Sequence, residues 1–368
     1  MQKLEEEFLA SGGIFEDCKI SDVFIVSTPK KKFDANKITF GGKYPYVARG
    51  DKNNGIRGYI SESEEYLNNG NTISFGQDTA TIFYQKDTYF TGDKIKIFTE
   101  KSGKLNDKNA QYLLSTMKKS FSLFSWGSSS FNEDILNNTI FTLPFIKNEI
   151  AFTYMDNFIT ELQAERLQEL QGYLQVTGLS NYTLTEEEQR AIDDLDNIKW
   201  GTFNIEKLFG KATRGKRLKS ADRISGDLPF VTAGENDTGI SAFIGNDVEI
   251  FKANTITIDM FGSAKYRNYQ YGADDHIAVV HCDKLAKESV LFLTSAIHKV
   301  SNAGQFSYAK NFYAKDANEL NISLPTKNNV PDYALMKTLG SAIQKLVIAD
   351  VVKYADRELS AYQSVIGE

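Results

Sequence analysis

NEIAFTYMDNFITELQAERLQELQGYLQVTGL, residues 148–179, is the stretch that decides the organisation of this chain. Its apolar residues recur at the spacing of one helix face. Such a helix would extend for about 40 Å, which is long for a globular protein, so the stretch predicts a spacer or one helix of a coiled coil. The apolar face consists of Phe152, Met155, Ile159, Leu162, Leu167, Leu170 and Leu174.

Length and composition predict a protein of two globular domains. The chain has 368 residues, of which 41% are hydrophobic and 24% are charged. No apolar run approaches the length of about 18 residues that a membrane span needs. The N-terminus, MQKLEEEFLASGG, is acidic and lacks the apolar segment of a secretory signal. We therefore expect a cytoplasmic protein without a membrane partner.

The cysteines and histidines give no metal-binding pattern. Cys18 and Cys282 are the two cysteines, they lie in different halves of the chain, and there are three histidines. This arrangement predicts neither a disulfide framework nor a zinc site.

Charge is segregated along the chain. The net charge of −6 by itself disfavours a nucleic-acid partner, because phosphate binding needs lysine and arginine. However, residues 185–196 (TEEEQRAIDDLD) are acidic, whereas residues 30–32 and 214–219 are basic. A basic surface can therefore exist on an acidic protein.

An internal repeat runs through the sequence. Residues 44–56 read YPYVARGDKNNGI, and residues 228–240 read LPFVTAGENDTGI. The offset between copies then shrinks slowly, as small deletions in loops would produce. The further matches are Asn71-Thr72-Ile73 with Asn254-Thr255-Ile256, Phe131 with Phe312, Leu143-Pro144 with Leu324-Pro325, Phe152 with Tyr333, Met155 with Met336 and Leu162 with Ile343.

Each copy predicts a mixed α+β domain with a strongly twisted sheet. Short segments rich in Ile, Val, Thr, Phe and Tyr are separated by Gly and Asn/Asp clusters, and a helix follows near residues 109–119 and 289–300. The predicted order is a first domain at 1–145, a spacer helix at 146–179, a connector at 180–197, a second domain at 198–328 and a second spacer helix at 329–368. In the connector, Thr185 and Glu188 have the spacing of a capping box that starts a short helix.

We find no catalytic motif and predict that the chain is not an enzyme. A phosphate-binding glycine loop, a nucleophile elbow and a zinc-protease motif are all missing from the sequence. The most site-like cluster is Asp274-Asp275-His276, which aligns with Asp93 and Lys94 of the first copy. A polar turn before a strand explains these residues more simply than a hydrolase site does.

Three pairs of loops carry residues suited to DNA. Lysines and arginines neutralise phosphates, and Gln, Arg, Lys, Ser and Thr on tight loops reach base edges. The loops differ between the copies while the framework agrees, as reading two different sequences would require. The predicted DNA-binding residues are Lys30, Lys31, Lys32, Arg49, Arg57, Gln77, Thr79, Trp126, Ser128, Arg214, Lys216, Arg217, Lys219, Ser263, Lys265, Tyr266, Arg267, Gln305 and Tyr308.

On these residues the chain resembles the specificity (S) subunit of type I restriction-modification systems. The matching features are the two strands PYVARGDKNNGI (45–56) and PFVTAGENDTGI (229–240), the segment NTITIDMFGSA (254–264), the two Leu-Pro pairs and the two long helices. The chain departs from the family in being short, and Met1–Gly13 is too brief to supply an N-terminal conserved helix. The shortness leaves open the S-like subunit of BcgI-type systems, which serves a fused nuclease-methyltransferase polypeptide.

The resemblance implies two tandem target recognition domains, each reading one half of a split double-stranded DNA site. It also implies that the two long helices pair as an antiparallel coiled coil, through Phe152, Met155, Ile159 and Leu162 on one side and Tyr333, Met336 and Ile343 on the other. Two methyltransferase (modification) subunits would dock on the chain, and restriction or translocase subunits would join for cleavage. The chain itself would need no cofactor, because S-adenosylmethionine, ATP and Mg²⁺ would belong to those partners.

A second interpretation stays open on the sequence alone. Two β-rich domains on a coiled coil would also suit a protein-interaction scaffold without DNA readout. The acidic net charge fits that alternative, and the recurring basic loops favour the DNA-binding one.

Overall fold

The computed structural model describes residues 1–122 and 131–366. The chain divides into two compact units, one of residues 1–170 with the last residues from 361, and one of residues 171–360. We describe each unit by itself.

The first copy of the repeat, residues 1–176, alternates short strands with helices. Its elements are α1 (Gln2–Ala10), β1 (Gly13–Lys19), α2 (Ile20–Val23), β2 (Phe24–Ser27), β3 (Tyr44–Val47), β4 (Ile56–Ile60), β5 (Thr72–Gly76), β6 (Ile82–Gln85), β7 (Phe90–Thr91), β8 (Ile95–Glu100), α3 (Asp107–Phe121), α4 (Glu133–Asn138), β9 (Ile140–Ile146), β10 (Glu149–Ile150) and α5 (Phe152–Val176), with 3₁₀ turns at Asn53–Gly55 and Glu64–Tyr66.

The strands of this copy form three small sheets. An antiparallel sheet has the order β2-β8-β5-β6, a second has the order β4-β3-β7 with β7 parallel to β3, and β1-β9-β10 form a third. Strand β5 is buried along its whole length, so its Thr72 and Ser74 hydroxyls are buried along with Ile73 and Phe75. Helix α3 packs one apolar face on the core, whose residues include Ile73, Phe75, Phe98, Leu113, Met117, Phe121, Phe141 and Leu143.

The second copy repeats the same elements in the same order. They are α6 (Glu186–Asp193), β11 (Trp200–Asn204), α7 (Ile205–Phe209), β12 (Thr213–Arg214), β13 (Ser225–Val231), β14 (Ile240–Ile244), β15 (Thr255–Asp259), β16 (Ala264–Arg267), β17 (Gly272–Ala273), β18 (Ile277–Val280), α8 (Lys287–Ser301), α9 (Ala314–Glu319), β19 (Asn321–Lys327), β20 (Val330–Pro331) and α10 (Tyr333–Ile366), with 3₁₀ turns at Leu195–Asn197, Ser220–Asp222 and Asn236–Gly239.

The predicted repeat is therefore confirmed down to single hydrogen bonds. The sheet orders β12-β18-β15-β16, β14-β13-β17 and β11-β19-β20 reproduce those of the first copy. Thr72 shares a hydroxyl hydrogen bond of 3.0 Å with Tyr89 in the first copy, and Thr255 shares one of 2.9 Å with Tyr271 in the second. Two mixed α+β domains in tandem are the fold that the sequence predicts.

Both long helices begin later than the sequence suggests. Lys147 and Asn148 have φ values of 50° and 63°, which makes a tight turn between β9 and β10. Asn328 and Asn329 do the same in the second copy, with φ values of 54° and 63°. These left-handed residues cannot continue a helix, so α5 begins at Phe152 rather than at Asn148.

The first turns of both helices, which carry four of the predicted seam residues, pack on their own domains. Phe152 and Met155 belong to the core of the first domain, and Met336 to that of the second, against which Tyr333 also packs. Ile159 is buried, Leu162 is half-buried and Ile343 is 47% exposed. The pairing of the two helices stays a prediction.

The N-terminus forms a short helix, α1, of nine residues. Phe8 on α1 stacks on Tyr154 at a centroid distance of 4.1 Å and meets Phe15 edge-on at 5.6 Å. Within the described residues, no helix is long and apolar enough to cross a membrane.

The connector between the copies carries the predicted capping box. The Thr185 hydroxyl accepts a hydrogen bond from the backbone N–H of Glu188, and the Glu188 carboxylate accepts one from the backbone N–H of Thr185. Glu188 is buried against α10, where Ser341 and Lys345 donate to its carboxylate at 2.6 and 2.8 Å. This contact fixes α6 on the second domain.

Candidate DNA interface

Loops that are distant in sequence converge on one charged cluster in the first domain. The loop after β3 carries Arg49, the β5–β6 turn carries Asp78, and the turn before β8 carries Lys94. Arg49 Nη1 and Lys94 Nζ lie 2.5 and 2.9 Å from the same Asp78 oxygen, Oδ2. Nearby in sequence, Lys32 Nζ lies 3.3 Å from Asp93 Oδ1. We call these five residues the first loop cluster.

The first loop cluster carries more positive than negative charge. Hydrogen bonding from Lys94, and then from Arg49, lowers the pKa of Asp78 despite its partial burial. Partial burial alone would raise the pKa of Asp93, but hydrogen bonds from the Lys94 backbone and from Lys32 lower it. Both carboxylates are therefore ionised at neutral pH. Arg49 and Lys94 are about half exposed, so the surplus cation is presented to solvent.

Two other predicted DNA-binding residues of the first domain, Gln77 and Thr79, have side chains that are hydrogen-bonded within the protein. Gln77 Nε2 donates to the Phe131 carbonyl at 2.6 Å, so its side chain holds a loop instead of pointing outward. The Thr79 hydroxyl is bonded to that of Thr81 at 2.8 Å.

The remaining predicted DNA-binding cations of this domain, Lys30, Lys31 and Arg57, are at the surface. Lys31 lies over the rings of Phe33 and Tyr66, whereas Lys30 and Arg57 are exposed. Trp126 and Ser128 lie outside the described residues.

In the second domain, two of four neighbouring predicted residues are buried, Ser263 and Arg267, and two are half-buried, Lys265 and Tyr266. Lys265 is 14% exposed, and its ammonium lies 3.2 Å from Glu235 and 3.5 Å from Asp259. Ser263 is buried and accepts a hydrogen bond from Lys265. Tyr266 packs against the core and donates to Asn254 Oδ1 at 3.1 Å, and Arg267 is 1% exposed. Strand β16 lies at the edge of the sheet and pairs with the inner strand β15, so these side chains contact the framework of the domain. Their role in DNA binding stays a prediction.

The predicted DNA-binding cations of the second domain that are exposed are Arg214, Lys216, Arg217 and Lys219, which we call the basic strip. None of the four pairs with a carboxylate in the described part of the chain. The strip runs beside β17, where the Lys216 backbone N–H donates to the Ala273 carbonyl at 3.1 Å. Gly215 makes this approach feasible, because a Cβ there would lie 1.7 Å from the same carbonyl oxygen.

A separate loop after α8 carries the last two predicted residues. Tyr308 is 83% exposed and meets the ring of Phe261, on the β15–β16 turn, edge-on at 5.0 Å. Gln305 Nε2 donates to the Val300 carbonyl at 2.7 Å, so its amide already supports the end of α8. Of this pair, only the Tyr308 side chain projects into solvent without a hydrogen bond among the described residues.

Asp274, Asp275 and His276 form a turn before β18, as the sequence suggests. The Asp275 backbone N–H donates to Asp274 Oδ1 at 2.9 Å, and His276 Nδ1 lies 3.2 Å from Asp275 Oδ1. Burial raises the pKa of Asp274. Their possible ligand atoms lie within 4.8 Å of one another, but the contacts are those of a polar turn.

The sequence interpretation missed the residues that balance the loop charges. Asp78, Glu235 and Asp259 each pair with a predicted DNA-binding cation, and Lys94 joins the first loop cluster. The sequence signal for Lys94 is its position between Asp93 and the first residue of β8. In the structure, Lys94 has a φ of 57°. Asp78 and Glu235 are distant in sequence from Arg49 and Lys265, so sequence spacing gives no warning of these pairs.

The second unit also presents an apolar groove beside α8 and α10. Its volume is about 710 Å³. Val347 is 74% exposed, and Leu346 and Trp200 are half-exposed, which is unusual for residues of this size. The groove is lined chiefly by Leu179, Trp200, Phe292, Ile343, Val347 and Ile348.

Comparison with known proteins gives a consistent result. A family model described as "Type I restriction modification DNA specificity domain" matches twice, at residues 14–172 and 197–354. The chain is 26% identical over 341 residues to the "Type II restriction enzyme BgcI specificity subunit S.BcgI" of Heyndrickxia coagulans, covering 89% of this chain and 94% of that one. The S subunit of a type I restriction-modification system from M. genitalium has a similar fold, with a TM-score of 0.62, 17% identity, and coverage of 96% of this chain and 94% of that one.

Proposed function

This chain belongs to the type I restriction-modification DNA specificity family, and on that premise we propose that it reads a bipartite DNA site, one half-site per domain. The observation that carries the proposal is the recurrence of the same loop set in both domains, with exposed cations in each. Phosphate contacts from such cations position a protein on a duplex, while loop side chains read base edges. Two domains in one chain bind two half-sites together, so each strengthens the other.

We further propose that the chain contributes specificity and that catalysis belongs to partner subunits. Two methyltransferase subunits, joined by restriction or translocase subunits, would bring S-adenosylmethionine, ATP and Mg²⁺. The apolar groove supports docking, because a partner that covers Val347 and its neighbours removes apolar surface from water. The long helices would set the distance between the half-sites.

The test is a selection of DNA from a pool of random duplexes, using the full chain together with its methyltransferase partner. We expect enrichment of a split site with a fixed number of base pairs between its halves. Replacing residues 15–145 with the matching domain of another family member changes only one half-site, because each domain reads its own.

Three outcomes contradict the proposal. A pool without any enriched sequence would favour the protein-interaction scaffold. A change of both half-sites after the domain replacement contradicts the assignment of one half-site to each domain. A variable spacing contradicts the spacer role of the helices.

Asp78→Asn is expected to strengthen DNA binding by the first domain while weakening its discrimination. The substitution releases Arg49 and Lys94 from a shared carboxylate. We expect a gain of about threefold to tenfold in affinity for random duplex, and a salt dependence steeper by about one unit of slope. Fluorescence anisotropy at several salt concentrations measures both.

The matched control is Asp51→Asn. Asp51 is an exposed acid on the same loop as Arg49, so its replacement changes the net charge equally without releasing an ion pair. Equal gains in both variants would show that net charge, not the Asp78 pairs, controls binding.

A further inference from the structure

Arg267 is a fully buried guanidinium without a carboxylate partner. The side chain is 1% exposed, and among residues 1–122 and 131–366 no acid forms an ion pair with it. Its Nε donates to the Thr257 hydroxyl at 2.9 Å. Buried charges are usually paired, because removing a charge from water costs several kcal/mol. A buried arginine that bonds only neutral groups therefore calls for an explanation.

The other end of Arg267 holds a loop. Nη1 donates to the Thr238 hydroxyl at 3.4 Å and to the Tyr269 hydroxyl at 3.0 Å. Thr238 lies on the turn Asn236–Gly239, which connects β13 to β14. Thr257 lies on β15, an inner strand that is buried along its whole length, so Arg267 ties the loop to the sheet.

The first domain has the same tie made from a different residue. Gln85 pairs with Thr72 across the sheet, as Arg267 pairs with Thr255. Gln85 Nε2 donates to the Ser74 hydroxyl and to the Asn54 carbonyl, both at 3.0 Å. Ser74 and Asn54 are the counterparts of Thr257 and Thr238, so both domains join the same strand to the same loop.

These loops need support because their backbones are strained. Asp237 and Thr238 have φ values of 46° and 55°, and Asn53 and Asn54 have values of 49° and 55°. Residues other than glycine reach this region at a cost, and they stay there only when the surroundings hold them. In the first domain, the strained turn is on the same loop as Arg49. Arg49 belongs to the first loop cluster. In the second, the loop carries Glu235, the partner of Lys265.

We propose that Arg267 and Gln85 are equivalent positioning residues, which fix the β13–β14 loop and the β3–β4 loop of their own domains for reading DNA. The inference rests on the proposed function, because it assumes that these loops read DNA. Neither residue touches DNA; each acts through the hydrogen bonds that hold the loop. The loop is then preorganised, and the side chains on it meet the bases at a defined position.

The test uses substitutions in both domains of the full chain, with DNA selection as the readout. Arg267→Met keeps an apolar stem in the same place and removes the donors, so we expect discrimination at the second half-site to fall about tenfold. The first half-site stays unchanged. Gln85→Leu gives the mirror result, with loss at the first half-site alone. Arg267→Lys, which keeps the charge and one reaching donor group, retains more discrimination than Arg267→Met.

A control separates positioning from a general loss of stability. Ile297→Ala removes a buried core residue of the same domain without touching the loop. It lowers the melting temperature and leaves both half-site preferences intact. Thr257→Val removes the acceptor of Arg267 Nε and serves as a second test if Arg267→Met does not fold; a smaller loss confined to the second half-site is expected.

The outcomes distinguish this inference from the function on which it rests. If the unaltered chain with its partner enriches no split site, the proposed function fails and the inference with it. If the unaltered chain enriches a split site but Arg267→Met and Thr257→Val leave the second half-site as sharp as before, only the inference is overturned. Equal relaxation of both half-sites by Arg267→Met, or relaxation by Ile297→Ala, overturns it as well.

Discussion

Alanine substitution of the basic strip, Arg214, Lys216, Arg217 and Lys219, is expected to weaken DNA binding about 100-fold at moderate salt. These four cations are exposed and unpaired in the described part of the second domain. Each phosphate contact releases condensed counterions from the duplex, so losing four contacts lowers the salt slope by about 3 to 4. Anisotropy titrations of the full chain with its methyltransferase partner, at several salt concentrations, measure both quantities.

The matched control replaces four other exposed lysines of the same domain, Lys284, Lys287, Lys315 and Lys327. The change in net charge is identical, but none of these lysines is on the loop that carries the strip. We expect less than a fivefold effect from the control variant, because charges beyond a screening length of about 10 Å act weakly. Equal losses in the two variants contradict a DNA contact by the strip.

Glu188→Gln is expected to lower the free energy of unfolding of the second domain by about 3 kcal/mol at pH 7. The carboxylate is buried and accepts hydrogen bonds from Ser341, Lys345 and the Thr185 backbone. Replacing it leaves the Lys345 ammonium, which is also largely buried, without its counter-charge. Urea unfolding followed by Trp200 fluorescence measures the loss, with Trp126→Phe as the common background.

The effect of Glu188 depends on pH in a defined direction. Burial alone would raise the pKa of Glu188, but the hydrogen bonds from Lys345, Ser341 and the Thr185 backbone outweigh it and lower the pKa to about 2. A folded-state pKa below the ordinary value stabilises the protein above the ordinary pKa, and the stabilisation is lost as the pH falls. We therefore expect the difference between the two proteins to be full above about pH 5 and to shrink towards pH 2.

Glu187→Gln is the control for Glu188. Glu187 is exposed and accepts one hydrogen bond, of 3.2 Å, from Thr338, so its neutralisation should cost under about 1 kcal/mol. A difference between Glu188→Gln and the parent protein that stays constant from pH 7 to pH 3 would contradict the assigned role of the carboxylate.

The order of elements was readable from the sequence because local physics determines it. The PYVARGDKNNGI and PFVTAGENDTGI segments predict a strand in each copy, and both domains have it, followed by a turn with left-handed residues. The spacing of Thr185 and Glu188 predicts a capped helix, and the structure contains it. Such signals lie within a few residues of one another, so one sequence is enough to detect them.

The role of individual charged residues was less predictable. Lys265 and Arg267 follow a glycine turn, as surface hairpin residues would, yet one is held between two carboxylates and the other is buried. The basic strip has the same residue types as Lys265 and Arg267, yet its four side chains are exposed. Burial depends on which strand lies opposite, and that partner is distant in the sequence.

The stretch at residues 148–179 shows where the two kinds of information divide. By itself the sequence determined that a long helix follows each of two copies of one α+β domain, because periodicity and repetition are properties of the chain alone. Only the tertiary structure decided that Phe152 and Met155 serve the core of the first domain, and that the apolar face of α5 begins as part of that domain. The physical reason is that an apolar side chain is stabilised by any surface that excludes water, and the hydrophobic effect has no direction that would name the surface in advance.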